Sequence, residues 1–298
     1  MPRTPVAPAP VVSRRPSLDE ANERCRRIAL GSYENFPVVS WLLPRSLRPH
    51  MYAVYAYCRG VDDLGDEAEG DRLALLDDWE RELRACYDGE PADPRFIALE
   101  DTVRRFDIPI EPFLRLIEAN RRDQSVARYA TFDQLLDYCS YSANPVGHIV
   151  LYIFGYRDIE RQRLSDATCT ALQLTNFCQD VTVDFGMGRV YIPQEDLDRF
   201  NVSEDDLRER RVTPDFRRLI AFQVLRTREY FEEGLGLIGV VNGRLRTDLR
   251  LFTLGGVAVL DEIARCGHDV LTSRPQLTRR RKALLGLRGV LPLPVRAR

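Results

Sequence analysis

A chain of 298 residues, 44% hydrophobic and 30% charged, is sized for one large globular domain or two small ones and for a sizeable apolar core. Its formal net charge of -2 gives no global attraction for nucleic acid. Seven scattered cysteines without a CxxC pair fit reduced thiols in a cytoplasmic chain better than a disulfide framework or a zinc site, and His50, His148 and His268 stand too far apart in sequence to suggest a metal.

Prolines at 2, 5, 8, 10 and 16, with no apolar core segment, make residues 1–16 a disordered lead-in rather than a signal peptide. Ser17, followed by Asp19 and Glu20, predicts a capped helix that ends at Gly31. Pro37 and Pro44 bracket a connector. Helical periodicity then covers Ser46–Glu69, Arg72–Tyr87, Pro94–Phe106, Glu111–Arg122, Phe132–Phe154, Gln162–Asp184, Pro214–Val241 and Arg246–Cys266. Only Arg189–Ile192 reads as a strand. The most apolar runs, Val146–Tyr156 and Leu251–Leu260, fall short of the ~18 residues that span a bilayer, so they are buried helix. Several helices are long and apolar over much of their circumference, which implies one all-α bundle over residues 17–272. From Ser273 to residue 298 the chain is basic and carries no acid.

Two polar stripes stand out on this apolar background. Tyr55, Arg59, Asp62 and Asp66 fall at 0, +4, +7 and +11, and Gln173, Asn176, Asp180 and Asp184 at 0, +3, +7 and +11, so each set shares a helix face. With 45 acids in the chain, roughly seven i,i+4 acid pairs arise by chance, and a solvated face is the competing reading. Two features weigh against it. No Lys or Arg lies within either aspartate turn, and the flanks Met51–Cys58 and Ala171–Cys178 are apolar. A buried carboxylate cluster needs a counter-ion. Magnesium suits it, because that ion is commonly held by one or two carboxylates together with phosphate oxygens. Two such stripes at the rim of an apolar cavity would hold a magnesium diphosphate above a hydrocarbon chain. The sequence has neither a GxxxxGK[ST] nor a GxGxxG loop to cradle a nucleotide.

Five ordered segments, Phe36–Pro44, Tyr55–Glu67, Tyr138–Gly147, Leu172–Asp184 and Gly188–Pro193, resemble the squalene/phytoene synthase family over about residues 18–270. The resemblance implies an isoprenoid synthase helical bundle around an apolar central cavity, Mg2+ as cofactor and a prenyl diphosphate as substrate. By the same likeness Asp62, Asp66, Asp180 and Asp184 bind metal. Tyr55, Arg59, Tyr138, Gln173 and Asn176 line the reacting centre, and Arg189 and Tyr191 close over the diphosphate.

Three departures refine the expectation. Gln179 stands where family members commonly have Arg, which removes a diphosphate contact. Ser32–Tyr33–Glu34–Asn35 carries an acid where a base is common, and Ala143–Asn144–Pro145–Val146–Gly147 replaces a run of small residues. Together with E-N-F-P-V-V-S-W-L-L-P and N-P-V-G, they resemble the bacterial hopanoid-pathway subgroup that makes hydroxysqualene from presqualene diphosphate. In that reaction water quenches a cation, and Ser142 or Asn144 is expected to orient it. Head-to-head joining of two prenyl diphosphates, to presqualene diphosphate, squalene or phytoene, is the alternative, and a non-catalytic assembly factor with this fold is a second. Neighbouring pathway enzymes are expected partners. Arg279–Lys282 and the leucines after them read either as a peripheral contact with the inner membrane or as a solvated tail.

Overall fold

The computed structural model describes residues 14–31, 43–290 and 295–297. Most of the expected lead-in, the Ser32–Asn35 departure and residues 36–42 of the first family segment lie outside these. Ser17 and Glu20 cap each other reciprocally at the start of α1 (Leu18–Gly31). The next helices are α2 (Arg48–Asp66), α3 (Arg72–Asp88), α4 (Pro94–Phe106) and α5 (Glu111–Arg122). Asp71 and Asp93 cap α3 and α4 through their carboxylates.

The expected helix over 132–154 is two, α6 (Phe132–Ser142) and α7 (Asn144–Ile153). Pro145 in the first turn of α7 has no N–H to give to Tyr141, so the first helix stops and a second begins. The expected helix over 162–184 also divides, into α8 (Ile159–Gln179) and α9 (Val181–Gly186), with Asp180 at the joint at φ -105° and ψ 16°. Two short helices follow, α10 (Gln194–Arg199) and α11 (Glu204–Arg208), then the long α12 (Pro214–Val240) and α13 (Gly243–Arg265). The Arg189–Ile192 segment forms one parallel bridge, Val190 to Arg128, and no strand.

One apolar core joins α2–α5 and α7 through Tyr57, Trp79, Phe96, Phe113 and Ile117. A second joins α8, α12 and α13 through Ala171, Phe216, Leu219, Phe231 and Leu260. Helix α8 runs between the halves, packed along α12 and against α6, α7 and α13. A smaller aromatic cluster, Tyr129, Tyr138, Phe177 and Tyr191, stitches them together. Each leucine or phenylalanine fully removed from water in these cores contributes about 1.5–3 kcal/mol. No helix among the described residues is long and apolar enough to cross a membrane. All seven cysteines are free. His50 bonds Thr102 at 3.0 Å and His148 bonds Asp166 at 2.7 Å, both structural contacts. The expected basic tail holds a further helix, α14 (Arg279–Val290), packed on α13.

The α10–α12 junction rests on a buried polar network. Asp196 is 2% exposed and accepts bonds from both terminal nitrogens of Arg226, at 2.8 and 3.0 Å, and from Gln223 at 2.8 Å. Arg226→Met leaves that carboxylate buried without its cation. It is expected to lower the unfolding free energy in a urea titration by about 3–5 kcal/mol.

Candidate active site

The two stripes meet across a cavity of about 240 Å3 between α2, α5, α6, α8 and α9. Asp62 and Asp66 line one wall, and Gln173, Asn176, Asp180 and Asp184 the other. Tyr138, Arg189 and Tyr191 complete the set expected from sequence that lines it. Leu116, Ala119 and Phe177 supply apolar wall.

Three expected residues stand elsewhere. Tyr55 is buried in α2 away from the cavity lining. Arg59 turns along the outside of α2 to Asp63 at 2.7 Å and Glu67 at 2.8 Å, solvent-exposed pairs that contribute little to stability. Asn144, at the start of α7, accepts a bond from Thr170 at 3.1 Å and lies outside the lining. Ser142, one turn after Tyr138 on the same face of α6, does line the cavity, and its Oγ is buried with no hydrogen-bond partner among the described residues.

Gln179 has a part the sequence did not suggest. It is 1% exposed, lies outside the cavity lining, and donates its amide to the Pro275 carbonyl. That contact holds the segment whose neighbouring Arg274 pairs with Asp180, one nitrogen at 3.0 Å from Oδ2 and a second on Oδ1. The cation absent at position 179 is therefore present at the same aspartate, brought from 94 positions further along. On the opposite stripe Arg189 bonds Asp66 at 2.7 Å.

Among the described residues no arginine hydrogen-bonds the other two aspartates, although the charges of Arg189 and Arg274 reach Asp184. Asp62 keeps accessible surface in the cavity, but protein atoms crowd its remaining sides. This desolvation raises its carboxyl to about 7, against the stabilising Asn120 amide and with the Asp66 charge adding to the rise. Burial and the nearby Asp180 charge raise Asp184 to about 7 as well. Among the described residues no three His, Cys, Asp or Glu side chains converge to hold an ion alone. Hard carboxylate oxygens in ones and twos on facing walls nevertheless fit magnesium completed by diphosphate oxygens.

Sequence reading missed a third wall. Leu116, Ala119, Asn120 and Asp123 line the cavity at 0, +3, +4 and +7, a stripe at the edge of α5. Asn120 donates to Asp62 at 3.4 Å. Asp123 accepts the Tyr138 hydroxyl at 2.7 Å and the Tyr191 hydroxyl at 3.4 Å. Burial lifts its carboxyl to about 6, opposed by the Tyr138 bond and the Arg189 charge. Tyr191 stacks on Phe177 with ring centroids 4.0 Å apart and on Tyr138 at 5.6 Å. The helical spacing was the available signal, but Arg121 and Arg122 beside Asp123 gave it the look of a solvated end.

An all-α bundle with facing aspartate stripes defines a prenyl diphosphate enzyme, and the squalene/phytoene synthase family model matches residues 30–281, so the chain belongs to that family. It is similar to the squalene synthase HpnC from Alicyclobacillus acidocaldarius, at 54% identity and a TM-score of 0.81 over 85% of this chain and 96% of that one. A dehydrosqualene synthase solved with a ligand superposes at a TM-score of 0.84 with 26% identity, over 91% of this chain and 96% of that one. The 15-cis-phytoene synthase of Synechococcus elongatus is 34% identical over 280 residues, 89% of this chain and 91% of that protein.

The raised carboxyls set a pH dependence. In the folded protein Asp62 and Asp184 retain protons that the unfolded chain releases in the ordinary carboxylate range. Their contribution to stability is thus present at acid pH and lost as pH rises through about 7. A magnesium ion held by these carboxylates would meet their ionised form. Its increase of the melting temperature is expected to be larger at pH 8 than at pH 6, as read by calorimetry with and without the ion. Gly65 lies between the two α2 aspartates, and a Cβ there would sit 2.1 Å from the Asn120 side-chain oxygen. Gly65→Ala, although helix propensity favours it by about 1 kcal/mol, is expected to push Asn120 off Asp62. The resulting loss in diphosphate release, measured with a coupled phosphate assay, is about tenfold to a hundredfold.

Proposed function

We propose that the protein ionises presqualene diphosphate in a magnesium-dependent reaction and captures the cation with water, giving hydroxysqualene and diphosphate. The observation that carries this reading is the Ser142 hydroxyl, which has no hydrogen-bond partner among the described residues and stands in the cavity wall one turn from Tyr138. A buried hydroxyl without a partner is costly, and a bound water satisfies it. The 54% identity to a squalene synthase of the HpnC type supports the subgroup.

Asp62, Asp66, Asp180 and Asp184 would hold the ion, whose chemistry is to neutralise the leaving diphosphate. With those carboxylates engaged by an ion, Arg189 and Arg274 would be free to bond diphosphate oxygens, which guanidinium groups match two at a time. The carbon–oxygen bond of the ester breaks with its electron pair on the diphosphate, and the cyclopropylcarbinyl cation left behind rearranges with cleavage of a ring carbon–carbon bond to an open-chain allylic cation. The stacked faces of Phe177, Tyr191 and Tyr138 line the space where positive charge develops, and ring faces stabilise it. A water held by Ser142 forms the new carbon–oxygen bond. Its proton passes to the Tyr138 oxygen as Tyr138 gives its own to Asp123 along the 2.7 Å bond.

Gln179 does not decide between this reaction and the joining of two diphosphates, because Arg274 restores a cation beside Asp180. Product analysis does. With presqualene diphosphate, magnesium and no NADPH, hydroxysqualene is expected, and Ser142→Ala should divert product toward eliminated or rearranged hydrocarbons while diphosphate release falls less than about threefold. Condensation of two prenyl diphosphates, farnesyl to presqualene diphosphate (to squalene only with NADPH added) or geranylgeranyl to phytoene, would establish a condensing enzyme instead. Absence of diphosphate release from either substrate would point to an assembly factor.

A further inference from the structure

Helix α14 has two faces with separate tasks. Its inner face is seated on α13: Arg281 bonds Asp261 at 3.1 Å and Glu262 at 2.7 Å, Leu285 packs against the main core, and Gly289 is buried. A Cβ on Gly289 would lie 2.3 Å from the Leu251 side chain, so this position is a close approach that glycine permits. These three residues follow at i, i+4 and i+8, one helical stripe. Arg250 fixes the end of the helix by donating to the Gly289 carbonyl at 3.1 Å.

The outer stripe, Arg280, Leu284, Leu287 and Arg288, has the spacing i, i+4, i+7 and i+8. Leu284 is 66% exposed, Leu287 63% and, further round, Val290 56%. Leucines in water on a helix already docked by its other side are not needed for the fold. Around them stand Arg279, Arg280, Lys282 and Arg288, and no acid occurs from Ser273 onward. Arginine stems cover apolar surface while their charged ends stay at a polar boundary, which is how a helix lies in the headgroup layer of a bilayer. The position also suits the chemistry. Arg274 touches Asp180, and Arg279, the first residue of α14, follows it by five positions, within roughly 18 Å of extended chain. Met187, half exposed, lines the cavity beside Asp184.

We infer that the outer face of α14 docks the folded enzyme on an anionic lipid surface, holding the cavity rim near the layer in which long-chain prenyl compounds dissolve. This goes beyond the reaction proposed above and does not depend on which product forms. The leucines enter the acyl boundary and the basic side chains bind lipid phosphates, so binding combines an apolar contribution that salt leaves intact with an electrostatic one that salt screens.

Flotation of the full chain with phosphatidylcholine vesicles, with and without about one-third phosphatidylglycerol, tests this directly. Binding is expected on the anionic vesicles and should weaken with added salt. Arg280→Gln with Arg288→Gln should reduce partitioning roughly fivefold for each charge removed. Leu284→Ser with Leu287→Ser should reduce it at least about tenfold even at low salt, and both double variants should keep the wild-type melting temperature. Leu287→Trp gives a second reading, a blue shift of its emission on anionic vesicles. Wild-type partitioning by both double variants, or a tryptophan emission unmoved by vesicles, overturns the proposal. So does a dimer in light scattering that the serine variant dissolves while no form binds lipid, since the face would then receive a second copy of the chain. Because binding is read without turnover, failure of the docking surface and failure of the proposed reaction are told apart.

Discussion

Mutual repulsion of four aspartates across one cavity is the constraint on which the rest depends. Asp62 and Asp66 on α2 face Asp180 and Asp184 on the α8–α9 joint across the open mouth of the bundle. The fold relieves the repulsion in two ways. Arg189 and Arg274 neutralise one aspartate on each stripe, and the other two carboxyls hold protons up to about pH 7. Both devices are reversible. A cation that displaces the protons, and a substrate whose phosphates draw off the arginines, finds the charges it requires already set in place. Binding then exchanges partners rather than creating charge in a dry interior, the expensive alternative.

The apolar architecture serves this constraint. Two cores hold the halves of the bundle rigid, while the cluster of Tyr129, Tyr138, Phe177 and Tyr191 spans the seam between them. Helix α8 contributes to both sides, with Leu174 and Phe177 packed in the seam and Gln173 and Asn176 turned to the cavity. Helices or their ends thus carry the four aspartates, Gln173, Asn176 and Tyr138, the more precise support for groups that must meet closely, whereas Arg189, Tyr191 and Arg274 come from connecting segments.

Much of this was legible in the sequence. Helix periodicity and capping located most long elements within a few residues, because apolar spacing and Asp, Ser or Thr at the N-terminus act locally. The double aspartate stripe was legible for the same reason. What escaped depended on contacts distant along the chain. Arg274 sits in a basic stretch that reads as tail, and only the fold brings it to Asp180. Gln179 looked like a lost cation because its neighbour faces the cavity, but a helical step of about 100° turns it to Pro275. Ser142 and Asn144 were equivalent in sequence. The break before Pro145 separated them, leaving one hydroxyl in the cavity wall and seating one amide against Thr170. Asp123 was hidden by the arginines beside it, whose side chains leave for Asp77, Glu80 and Asp137.

The reach from Arg274 to Asp180 also has a consequence for synthesis. During translation the helices bearing Asp62, Asp66, Asp180 and Asp184 emerge before residues 274–275 leave the ribosome. Until that segment docks, Asp180 has no guanidinium beside it and Gln179 no carbonyl for its buried amide. The Asp180 side of the site is therefore completed only after the chain through Pro275 has left the ribosome, later than the helices that carry the four aspartates.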